Sequence, residues 1–139
     1  MSDAPDRWSG AAAPSLDDLA ALAEAAFKSL PAAVRQAAGE VVFRLDDFPA
    51  EAMLDELGIE DAFELTGLYQ GVDRIRRSVW DPVPEASRIF LFRRPILDEW
   101  AERGDVTLSE LISHILVHEI GHHLGLSDDD IDALEAQAD

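Results

Sequence analysis

The sequence predicts an α+β domain. Capped stretches with apolar residues at helical spacing alternate with only a few short segments of strand character. A chain of 139 residues has the length for one hydrophobic core. A third observation concentrates attention on one element: all four histidines, His114, His118, His122 and His123, fall within ten residues, inside the best-marked helix.

The elements follow in chain order. Residues 1–14 are rich in Ala, Pro, Ser and Asp and are expected to form a disordered arm, leaving 15–139 as a single domain. Ser15 opens a helix, with Asp17 and Asp18 in the first turn favouring the dipole. Leu16, Leu19, Leu22, Ala23, Ala26, Phe27 and Leu30 give it an apolar stripe. Pro31 interrupts the helix, which kinks or restarts through Ala38 and stops at Gly39. Val41 to Asp46 alternates apolar and polar residues, the pattern of a half-buried strand. Pro49 starts a short helix ended by Gly58. Leu65 to Gly71 reads as a loop followed by a strand through Ile75, and Pro82 and Pro84 mark an extended connection. Ile89–Phe92 is a short apolar strand. Pro95 opens a helix from Ile96 to Arg103, stopped by Gly104. Thr107-Leu108-Ser109-Glu110 is a capping box for a helix reaching about Leu124, with Gly125 as its stop. A further short helix follows Asp128.

Composition narrows the function. The formal net charge is −18, which repels phosphate backbones and argues against a nucleic-acid partner. There is no cysteine, so neither disulfides nor a thiolate zinc site can form. No apolar stretch has membrane-spanning length, and Met1–Pro14 has no signal-peptide core, so a cytoplasmic protein with no membrane partner is expected. Six arginines lie between Arg74 and Arg94 (Arg74, Arg76, Arg77, Arg88, Arg93 and Arg94) against Asp81 and Glu85 alone. They either receive acidic groups of a substrate or pair with the protein's own acidic surface; the second is the commoner use of such a run. No long apolar stripe is left unassigned, and a monomer is expected.

Residues 118–128 read His-Glu-Ile-Gly-His-His-Leu-Gly-Leu-Ser-Asp. On a helix, His118 and His122 lie one turn apart on one side. Two neutral imidazoles at that spacing can hold one Zn²⁺, and Glu119 beside them can take a proton from water. On a helical wheel, Leu111, Ile112, Ile115, Leu116 and Ile120 span a wide apolar arc, with Glu110, Ser113, Val117 and Gly121 opposite. His118 and His122 lie at one margin of the arc. Glu119 falls inside it, where a carboxylate is costly unless paired, protonated or beside a metal. Gly125 allows the sharp turn that returns a later residue toward the metal. Asp128 is the expected third ligand, with Asp129 and Asp130 close enough to compete. All three can instead be a solvated cluster at the start of the last helix. His114 is eight residues from His122, roughly 12 Å along the axis, and reads as a flanking polar residue. His123 points into the apolar arc and reads as a hydrogen-bonded core histidine.

The stretch His118-Glu119-x-x-His122-x-x-Gly125-x-x-Asp128 resembles the zincin metallopeptidases whose third ligand follows a glycine turn. Together with Gly67-Leu68-Tyr69-Gln70-Gly71-Val72 and Arg88–Pro95, it looks like the small bacterial minimal zincin-like family. The similarity runs from about residue 41 onward. It implies a minimal zincin-like fold, a small mixed β-sheet packed against helices around a buried HExxH helix. It also implies zinc on His118 and His122, Glu119 as general base, and a cleft bordered by the strand at Ile89–Phe92, to which an extended peptide could add. Where larger relatives of this plan carry a histidine, this chain has Asp128, and no methionine follows the motif. The other common zincin plan takes a glutamate from a later helix; Glu135 is the sole glutamate after His122.

The expected function is therefore zinc-dependent hydrolysis of a peptide or protein substrate. Zn²⁺ is held by His118, His122 and Asp128, and Glu119 is the base. Tyr69, the one tyrosine, is a candidate oxyanion donor or a packing residue. The alternative is a non-catalytic zinc- or peptide-binding module on the same fold. A metal-dependent ribonuclease is opposed by the charge.

Overall fold

The computed structural model describes residues 9–70 and 87–138. The expected strand through Ile75, the connection at Pro82 and Pro84, Arg74, Arg76 and Arg77, and the first eight residues of the N-terminal arm lie outside these. The architecture is the α+β class that the sequence predicts. In order come α1 (Leu16–Lys28), α2 (Ala32–Ala38), β1 (Val41–Asp46), α3 (Glu51–Leu57), a 3₁₀ turn (Ala62–Glu64), β2 (Gly67–Gln70), β3 (Ser87–Phe92), α4 (Arg93–Arg103), α5 (Leu108–His123) and α6 (Asp128–Ala138).

The caps set most of these boundaries. Ser15 and Asp18 form a capping box on α1: the Asp18 N–H donates to Ser15 Oγ at 3.1 Å, and the Ser15 N–H donates to Asp18 Oδ2 at 2.8 Å. That bond lowers the Asp18 pKa, chiefly through the Ser15 backbone N–H. Pro31 splits the first helical stretch into α1 and α2. At α5 the Glu110 N–H donates to Thr107 Oγ1 at 3.0 Å, while the Glu110 side chain accepts from the Thr107 hydroxyl, not from its backbone N–H. Several boundaries differ from expectation, two of them beside β3. β2 begins at Gly67, inside the expected loop, and α4 begins at Arg93, directly from β3 and ahead of Pro95.

The sheet is mixed, with order β1-β3-β2. β1 and β3 run parallel, with Phe43 opposite Ile89. β2 and β3 run antiparallel, with Tyr69 opposite Ile89. β3 is therefore the central strand, and its Ile89 and Leu91 are wholly buried. That corrects the expectation that the Ile89–Phe92 strand borders a cleft: both of its sides are hydrogen-bonded, and β2 is an edge among the described residues.

α5 is the axis of the core. α1, α4, α6 and β2 all pack on it. Leu111, Ile112, Leu116 and Ile120 are buried on the arc that the wheel marks as apolar. Val117 and Gly121, opposite that arc, are buried as well. α6 covers them: a Cβ on Gly121 would lie 2.5 Å from Ile131 Cγ1. Glycine is thus required at the crossing by close approach, with Ile131 fully buried against it. On the other flank, a Cβ on Gly67 would lie 2.8 Å from Ile115 Cγ2, so β2 also runs close along α5. Arg93 donates from Nε to the Pro14 carbonyl at 2.6 Å and pairs with Asp47 at 3.2 Å. The Arg94 guanidinium lies over the Phe48 ring. These two arginines serve the protein's own surface.

Candidate active site on helix α5

Two neighbours of α5 position its polar residues. On the sheet side, β2 is an edge strand among the described residues, with backbone donors that β3 does not use. One of them, the Tyr69 N–H, donates to Glu119 Oε2 at 3.1 Å. Glu119 is half-buried among the apolar residues of its helix. Burial pushes its carboxyl above the ordinary glutamate range. The Tyr69 N–H, His122 and His118 pull in the opposite direction without cancelling that effect. A carboxylate held by a backbone amide, with its pKa raised, is poised to accept and return a proton.

Tyr69 has a second contact. Its ring stacks on His123, with centroids 3.9 Å apart and planes tilted by 27°. His123 is exposed, which corrects its reading as a core histidine: the end of the apolar arc is not covered there. The Tyr69 hydroxyl is buried and has no hydrogen-bond partner among the described residues.

On the opposite side, α6 brings Glu135 against the histidine row. Glu135 Oε1 lies 2.7 Å from His114 Nδ1 and 3.0 Å from His118 Nε2. The His114 and His118 rings are 4.4 Å apart between centroids; those of His118 and His122 are 6.0 Å apart. His118 thus sits nearer the residue that reads from the sequence as a flanking polar group. Glu135 Oε1 is shielded from solvent, yet among the described residues it makes no hydrogen bond despite the two nearby ring nitrogens. A shielded carboxylate oxygen between two imidazole nitrogens is a donor set suited to a divalent metal.

The remaining expected ligands stand apart. His122 is exposed, one turn beyond His118. Gly125 adopts φ 74°, the left-handed conformation that the turn after α5 demands. Asp128, Asp129 and Asp130 then form the exposed first turn of α6. Asp130 is engaged in a capping box: its N–H donates to Ser127 Oγ at 3.2 Å and its carboxylate accepts from the Ser127 N–H at 3.4 Å. The group of metal-capable side chains that the structure gathers among the described residues is His114, His118 and Glu135, without His122 or Asp128. Glu135 is the residue that sequence reasoning did not place. Its signal was present in retrospect: Ile131 and Glu135 are one turn apart on α6, and Gly121 is the small residue against which such a helix can cross.

The fold agrees with comparison to known proteins. The model of a family described as zincin-like metallopeptidase matches residues 38–138, most of the chain. No match is found among curated proteins.

Proposed function

The chain belongs to the zincin-like metallopeptidase family, and we propose that it hydrolyses peptide bonds, with Zn²⁺ held by His118, His122 and Asp128 and with Glu119 as general base. The observation that carries this reading is the state of Glu119. It stands next to His118 on a mostly buried helix, carries a raised pKa, and is oriented by the Tyr69 N–H from an adjacent strand. A purely structural carboxylate gains nothing from such a place.

When bound, Zn²⁺ would supply Lewis acidity, polarising the scissile carbonyl and acidifying water. Glu119 takes the proton of the attacking water and returns it to the leaving amine. The Tyr69 amide fixes one carboxylate oxygen, which leaves the other to move the proton. The Tyr69 hydroxyl is a donor without a partner among the described residues, and its proposed role is to donate to the oxyanion as the carbonyl becomes tetrahedral. An extended substrate would lie along β2, the edge strand beside Glu119, and not along β3. The −18 charge favours peptide over nucleic acid. The alternative of a non-catalytic binding module leaves the raised Glu119 pKa without a use.

Glu119→Gln is the direct test. Zinc content should be retained, and cleavage of a peptide library should fall by about 10²–10⁴-fold, the usual contribution of a general base. Undiminished cleavage by this variant would remove Glu119 from the role.

A further inference from the structure

The cluster on the α6 side of α5 goes beyond the peptidase reading. His114 and His118 repeat, one turn earlier, the i, i+4 spacing of His118 and His122. The first pair has what the second lacks among the described residues, a carboxylate already between its rings. Glu135 Oε1 is 2.7 Å from His114 Nδ1 and 3.0 Å from His118 Nε2, shielded from solvent and, among the described residues, without a hydrogen bond. His114 and Glu135 also line a cavity of about 180 Å³, together with Glu110, Ser113 and Arg103. Water can therefore reach a fourth position there.

We propose that His114, His118 and Glu135 form a second divalent-cation site, displaced one turn toward the start of α5 from the motif pair and mutually exclusive with it. The exclusion follows from His118. A neutral imidazole has one lone pair for a metal, and in this structure His118 directs Nε2 at Glu135. An ion held there takes His118 away from His122, leaving Glu119 without the ion beside it. The second site is then a resting or inhibitory position, and the balance between the two sets how much of the protein is active. The cation is of the zinc class, since two imidazoles and one carboxylate suit Zn²⁺ better than Mg²⁺ or Ca²⁺.

The test uses the full chain stripped of metal and titrated with Zn²⁺ against a chromophoric chelator. Co²⁺ replaces Zn²⁺ in a parallel series, so that its visible absorption reports the ligand geometry. His122→Ala, which breaks the motif pair, should still bind about one Zn²⁺ per chain and give a tetrahedral Co²⁺ spectrum. His122→Ala/Glu135→Gln and His122→Ala/His114→Ala should each bind at least about tenfold more weakly. The proposal is overturned if His122→Ala binds no better than His118→Ala, or if neither added substitution weakens it further. Wild-type protein that takes up two ions with His118 serving both would overturn the exclusion. The converse variant, His114→Ala/Glu135→Gln, keeps the motif intact. Failure of that protein to bind zinc would count against the His118–His122–Asp128 ligand set and leave the second site standing, so the two readings fail separately.

Discussion

The two sides of α5 hold their polar residues by different means. Toward the sheet, Glu119 is fixed by a backbone amide of β2, and β2 is fixed by its register with β3 and by the close approach of Gly67 to Ile115. Toward α6, His114 and His118 meet a carboxylate whose place depends on one short helix docking through Ile131 on Gly121. The first arrangement is built into the sheet and the second rests on a single helix crossing. A site that must keep a base in register benefits from the first. A site that exchanges ligands for an ion can use the second, because a few kilocalories suffice to open it.

The largest effect that separates the two sides is expected from Ile131→Ala. Ile131 is fully buried, and its truncation should cost about 2–5 kcal/mol by chemical denaturation. The loss should loosen α6 first, so hydrogen exchange should rise across Asp128–Ala138 before it rises in β2. Equal loss of protection on both sides would show that α6 and the sheet are one cooperative unit. Next comes Tyr69→Phe on the sheet side. Its backbone amide, and so its bond to Glu119, is kept. Removing the hydroxyl, which has no partner among the described residues, should leave stability unchanged or raised while turnover falls by about 10²-fold. An unchanged rate would return Tyr69 to a packing role against His123. The smallest effect is electrostatic. The raised Glu119 pKa means that the folded protein holds this proton to higher pH than the unfolded chain does. Stability is therefore full below the unfolded pKa and is lost as pH rises through the folded one. In metal-free protein, Glu119→Gln should melt higher than wild type at neutral pH and alike below about pH 4. A gap of the same size at both pH values would place its cause outside the ionisation of Glu119.

The same division describes what could be read from the sequence. Local signals were sufficient for α1, α3 and α5, because Ser15, Pro49, Thr107 and the glycines at 39, 58, 104 and 125 act within one turn of themselves. The apolar arc of α5 and the strand pattern of β1 were equally plain. What was not legible depends on contacts between distant segments. β2 lacks strand alternation and owes its place to pairing with β3. The wheel sets Val117 and Gly121 opposite the apolar arc, and their burial comes from tertiary packing that periodicity does not encode. Distance along the helix separates His114 from His122, but Glu135 reaches His114 from another helix. His123 sits past the end of the covered arc, where helical periodicity continues but burial does not. The HExxH spacing is legible because a metal pair on a helix is a local device; the meeting of Glu135 with His114 and His118 is a tertiary contact that no local signal announces.

The most direct test of the account is the zinc content of protein loaded with zinc and then freed of excess, measured for wild type beside His118→Ala. His118 belongs to the motif pair and to the cluster with Glu135, so every zinc position described above depends on it. The account predicts about one zinc per wild-type chain and essentially none in the variant. Equal zinc in the two proteins, or none in the wild type, would contradict it.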